Sequence, residues 1–136
     1  MLIANGTVIA VCDGEKLSLY RNQGDESAPE LVPLAVEAVE TQNKSSGMRH
    51  RSTAANPDAR QLEEDSFAAG VAGILSDMFL ANEFERLVVI AAPRTLGELR
   101  KRYHSQMLPA IQAEIAKDLT GATVPTLLAT LEAERG

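Results

Sequence analysis

Two uninterrupted apolar runs constrain this chain more than anything else in it. Leu87 to Ala92 is six residues without a polar member, closed by Pro93, and Thr7 to Cys12 is a β-branched and small apolar run closed by Asp13-Gly14. Runs of that length bounded by turn residues are what strands buried on both faces require, because neither face can tolerate a polar side chain. A strand covered on both sides needs a layer above it and a layer below. The expectation is therefore a sheet with helices packed on its faces, within one domain of 136 residues.

The remaining elements fall around these two runs. Lys16 to Arg21 alternates polar residues with Leu17 and Leu19, so it reads as the partner of the first run in a hairpin and as a strand nearer an edge. Asp13-Gly14 between them suits the positive φ angles of a tight primed turn. A third strand is expected over Leu31 to Thr41, where Leu34, Val36 and Ala38 recur at period two. From Gln42 to Pro57 the chain is polar and aperiodic, a long loop, and loops of such length in small domains are usually functional or disordered.

Phe67, Val71, Ile74, Leu75, Met78 and Phe79 then draw one apolar stripe along a helix whose start is acidic, as the helix dipole favours. Ala68, Ala69, Gly70, Ala72 and Gly73 in that helix suit close packing on a sheet. After Pro93, Thr95 and Glu98 have the spacing of a capping box, with Leu96, Leu99 and Tyr103 facing inward. Ile111 to Lys117 reads as a further strand, with Ile111, Ala113 and Ile115 on one face. Pro125 to Glu134 reads as a closing amphipathic helix built on Leu127, Leu128 and Leu131. The order is β-β-β-α-β-α-β-α, a single domain over residues 1–136 with a mixed sheet of about five strands.

Composition sharpens this further. With no Trp, three Phe and two Tyr, the core must be aliphatic. The formal charge of −6 argues against coating nucleic acid by bulk charge, while leaving room for a local basic patch. The single Cys12 sits inside an apolar run and reads as a buried strand residue in a reducing compartment. No stretch reaches the roughly 20 apolar residues of a membrane helix, and the first residues lack the regions of a signal peptide, so a cytoplasmic location is expected.

Five segments occur in the order seen in the bacterial host-attachment protein family: Ala10-Val11-Cys12-Asp13-Gly14-Glu15-Lys16; Asn43-Lys44-Ser45-Ser46-Gly47 with His50; Glu64-Asp65-Ser66-Phe67-Ala68; Ala91-Ala92-Pro93-Arg94-Thr95-Leu96-Gly97-Glu98-Leu99-Arg100; and Glu114-Ile115-Ala116-Lys117-Asp118-Leu119-Thr120. The chain resembles that family over nearly its whole length. The family is related by fold to the middle domain of the archaeal and eukaryotic peptide-chain release factor, so the resemblance implies an RNase H-like topology. In the release factor a Gly-Gly-Gln tripeptide acts on peptidyl-tRNA from the loop that corresponds here to residues 43–51. That loop contains no Gly-Gly-Gln, and Asn22-Gln23-Gly24 is a different motif elsewhere, so peptide release is not carried over.

Two basic groups stand out against an acidic chain. Lys44, Arg49, Arg51 and Arg60 surround the polar loop; Arg94, Arg100, Lys101 and Arg102 follow the second apolar run. Each begins just after an expected strand, so both are expected to face one crevice, as ligands of α/β sheets lie beyond the carboxyl ends of strands. Lys44, Ser45, Ser46, Arg49, His50, Arg51, Arg94 and Arg100 are the candidate RNA- or phosphate-binding residues. His104 is expected at the surface or in a cap. No catalytic residue, cofactor or metal site is expected. Asp13 lies in a turn and Glu63, Glu64 and Asp65 along a helix start, apart from one another rather than converging on metal ions. The expected function is binding of RNA, the ribosome or a protein partner without catalysis. The alternatives are an adaptor affecting attachment to host cells and, third, a hydrolase of peptidyl-tRNA esters.

Overall fold

The computed structural model describes residues 1–36 and 57–134. Lys44, Ser45, Ser46, Arg49, His50 and Arg51 lie outside them, as do residues 37–41 of the expected third strand and residues 42–56 of the expected loop. Five strands, β1 (Val8–Cys12), β2 (Leu17–Asn22), β3 (Leu31–Leu34), β4 (Leu87–Ala91) and β5 (Ile111–Ala116), form one sheet in the order β3-β2-β1-β4-β5. Among the described residues three helices accompany them: α1 (Pro57–Leu80), α2 (Pro93–Arg100) and α3 (Val124–Ala133).

The two apolar runs are the middle of this sheet. β1 and β4 pair in parallel and in register from Val8↔Leu87 to Cys12↔Ala91, and every residue of both is buried. Alternate side chains point to opposite faces. Val8, Ala10, Cys12, Leu87, Val89 and Ala91 meet Ala68, Val71, Ala72 and Leu75 of α1 and Leu96 and Leu99 of α2. Ile9, Val11, Val88 and Ile90 meet Leu127 and Leu131 of α3, with Ile3 and Ile115 beside them. Each fully buried aliphatic side chain of this kind contributes about 1.5–3 kcal/mol, so the three-layer arrangement is the physical answer to two-sided strands.

β2 lies one place in from the edge, antiparallel to β1. β3 forms the edge itself, where the exposed Pro33 needs no outward hydrogen bond. The β1–β2 turn is built differently from the primed turn expected. Gly14 does not have a positive φ. Instead Asp13 Oδ1 accepts the amides of Glu15 and Lys16, both at 2.7 Å, an Asx-type turn. Glycine is needed at position 14 for another reason: a Cβ there would lie 2.7 Å from Cγ of Glu64 on α1.

Three further expectations are corrected. Thr95 is not the N-cap of α2: Ala92 is, without a side-chain cap, and Pro93 opens the helix. A proline's fixed φ and missing N–H suit the first helical position, so the helix begins directly at the strand end and Thr95 is buried inside its first turn. The expected inward residue Tyr103 lies beyond the end of α2, half-buried against the same core. In β5 a register shift pairs Leu87 with Ile111 but Val88 with Ala113, so Ile111 packs on the α1 side while Ala113 and Ile115 pack on the α3 side. One extra residue reverses the facing of what precedes it.

The chain ends of the sheet are tied by a buried amide. Asn22 donates to the carbonyls of Ile3 (2.9 Å) and Ala4 (3.3 Å) and accepts the amides of Gly24 and Glu30 (both 2.9 Å). α1 stops at a residue in the left-handed region, Asn82 (φ 62°), with the Glu83 amide donating back to the Met78 carbonyl at 2.9 Å.

Two stability outcomes follow from these contacts. Gly73, expected to face the sheet, is exposed, and a Cβ there meets nothing within 4 Å. Gly73→Ala is therefore expected to raise the unfolding free energy by about 0.5–1 kcal/mol in urea titration. Asn22→Leu, which leaves the buried Ile3 carbonyl and three part-buried backbone groups without their partner, is expected to lower it by about 2–4 kcal/mol in the same assay; an unchanged midpoint would show that water replaces those bonds.

Candidate functional site

β1, β4 and β5 run parallel, so their carboxyl ends open at one end of the sheet. A crevice of about 360 Å³ lies there, lined by the β1–β2 turn (Asp13, Gly14, Glu15), by Gln61, Glu64 and Asp65 of α1, by Ala92, Arg94, Thr95 and Glu98 at and within α2, and by Asp118 beyond β5. This is the position at which α/β sheets bind ligands. Among the described residues six carboxylates line it, with Arg94 as the one cation; Lys44, Arg49 and Arg51, expected to face the same crevice, lie outside the described residues.

Asp13 and Glu64 thus share a crevice although they are distant in sequence. They do not form a reagent pair. Both oxygens of Asp13 are engaged, Oδ1 by the two turn amides and Oδ2 by the Thr120 hydroxyl at 3.0 Å, which also lies 2.7 Å from Asp118 Oδ1. Partial burial works against the charge of Asp13, but these donors and the neighbouring Lys16 outweigh it and hold the carboxyl below its usual range. Asp13 is therefore an anion that fastens the β1–β2 turn to the β5–α3 loop. Among the described residues no group of three or more His, Cys, Asp or Glu side chains is placed to hold a metal ion. Burial, with Asp13 beside it, pushes the Cys12 thiol up to about 12, so it is a packed thiol rather than a nucleophile.

The second basic group divides in two. Arg94, Lys101 and Arg102 surround Glu98: Lys101 Nζ donates to Glu98 Oε2 at 2.8 Å. That hydrogen bond first, then the charges of Lys101, Arg102 and Arg94, keep the Glu98 carboxyl below its usual range. Arg94 and Arg102 are exposed, and among the described residues neither side chain has a hydrogen bond or ion pair. Arg100 turns away; its Nε donates to Glu114 Oε1 of β5 at 3.0 Å. Arg94 and Arg100, grouped by sequence, are not brought together, whereas Lys101 and Arg102, left out of the candidate set, join Arg94. Their spacing of seven and eight residues from Arg94 carried that information, since it returns to the same helix face. His104 is exposed, and its Nδ1 accepts the Gln106 amide at 3.1 Å, capping a 3-10 turn over Ser105–Ala110.

A family model described as bacterial archaeo-eukaryotic release factor family 12 matches residues 6–131. The chain belongs to that family. Curated proteins give no match. Membership of family 12 supports the expected kinship with release factors and the α/β architecture, but not the host-attachment name. In the Asn22-Gln23-Gly24 segment of this family 12 chain the Asn22 side chain is buried and saturated by backbone groups. None of the described helices is long and apolar enough to cross a membrane.

The Asp13 fastening has a pH signature. A carboxyl whose folded value is depressed contributes stability above its unfolded value, about 3.9, and loses it as pH falls through the folded value. Asp13→Asn is expected to melt below the native chain at pH 7. The gap should close below about pH 4; a gap independent of pH would assign the loss to shape rather than charge.

Proposed function

We propose that this family 12 protein is a translation-related RNA-binding domain that grips the phosphate backbone along α2 and does not release peptides. The observation that carries it is the gathering of Arg94 of α2 and of Lys101 and Arg102 just past its end around Glu98, with the two guanidiniums without side-chain partners in the described residues. Guanidinium forks suit phosphate oxygens, and three cations, one in the first turn of a short helix and two just past its end, match a backbone that presents one charge per nucleotide. Lys44, Ser45, Ser46, Arg49, His50 and Arg51 would add donors to the same partner, whether free RNA or RNA in the ribosome. Attachment to host cells, implied by resemblance alone, would then be an indirect consequence.

With a chain charge of −6, such binding depends on a local patch and must be sensitive to salt. Fluorescence anisotropy with a single-stranded RNA at several salt concentrations tests it. Replacing Arg94, Lys101 and Arg102 together by alanine is expected to weaken binding and to lower the salt slope by about 2, at about 0.7 per cation. Arg100→Ala, which removes a cation already paired with Glu114, is expected to leave both nearly unchanged. Equal binding by the triple variant and the native chain would reject RNA recognition through α2.

A further inference from the structure

Glu98 occupies an unusual place for a carboxylate beside a phosphate-gripping surface. Arg94 precedes it by four residues, and Lys101 and Arg102 follow it by three and four, the spacings at which helical side chains are neighbours. It is half-buried and holds Lys101 directly at 2.8 Å, while Arg94 and Arg102 are close enough to feel its charge yet form no hydrogen bond with it. Glu98 also lines the crevice, so it stands between the six-carboxylate cleft and the basic side of α2.

Resting on the RNA-binding proposal above, we infer that Glu98 is an internal competitor for the RNA phosphate: it fills the position among Arg94, Lys101 and Arg102 that a backbone phosphate takes on binding. A carboxylate accepts through two oxygens and here occupies one ammonium. A phosphodiester placed between Arg94 and Arg102 accepts forks from both and draws Lys101 off Glu98. Glu98 therefore sets affinity. It keeps the three cations from gripping any passing anion and requires a phosphate presented well enough to displace it, as discrimination by an opposing charge requires.

The ordinary alternative is a surface ion pair one turn long that steadies the end of α2 and contributes little. The two differ in what neutralising Glu98 does to binding. Glu98→Gln keeps the side chain's length and helix preference. Competition predicts that it tightens the single-stranded RNA by about fivefold at low salt and steepens the salt slope by about 0.7, as one additional effective cation does. Glu132→Gln, an equal change in net charge at an exposed position on α3, is expected to move affinity by less than about twofold, since screening confines surface charge effects to roughly 10 Å.

Tightening by Glu98→Gln well beyond Glu132→Gln supports internal competition. Equal effects of the two, or weaker binding by Glu98→Gln, overturn it while leaving the RNA proposal intact, provided the triple alanine variant still loses binding. If the native chain binds no RNA, or the triple variant binds equally, the RNA proposal falls and the competitor role falls with it.

Discussion

The parallel pairing of β1 with β4 is the constraint on which the rest of the molecule depends. Ten residues in register, all buried and none polar in side chain except the weakly polar Cys12, leave no face for water. One cover is made by α1 and α2 and the other by α3, and the small residues Ala10, Cys12 and Ala91 facing Ala68 and Ala72 suit close seating of α1. Because the pair is parallel, both strands release the chain at the same end. The Asp13 turn, the start of α2 and the acidic half of α1 therefore meet there, and the crevice is a geometric consequence of how the core is satisfied.

Polar chemistry at the two ends of β1 is spent on holding loops to that core. Asn22 gives both amide protons and both carbonyl lone pairs to backbone groups, and Asp13 gives each oxygen to a donor. Buried or half-buried polar groups satisfied in this way rigidify a structure. They are also unavailable as reagents. Asp13, the crevice carboxylate at the end of β1, is in this way an anchor of the β1–β2 turn.

How much of this was legible in the sequence depended on whether a feature left a local pattern. The two central strands did, since an apolar run closed by Pro93 or by Asp13-Gly14 has few other solutions. The bulge at the start of β5 did not, because an added residue leaves the composition of Ile111 to Ala116 unchanged and alters only its facing. The capping box at Thr95 and Glu98 had the right spacing and lost to Pro93, which fixes the first helical position more strongly than a side-chain cap. The basic segment was seen as a charge run. Its division was nevertheless calculable: at about 100° per residue Arg100 falls about 120° around a helix from Arg94, whereas Glu98, Lys101 and Arg102 fall within about 80° of it.

The juxtaposition of an acidic crevice and a basic helix side bears on how a polyanion would meet this surface. In a chain of charge −6, an approaching phosphate chain is repelled by most directions and drawn by few. The carboxylates at the carboxyl ends of the strands oppose insertion into the crevice, which is where a fold of this kind ordinarily takes its ligand. On the RNA-binding proposal the favourable course would then be across α2 and the turn that follows it, with Arg94 at the boundary and the crevice left to water or to a cationic group. Orientation would come from repulsion on one side as much as from attraction on the other, and Glu98, placed at the boundary of the two, is where the balance can be tuned by a single charge.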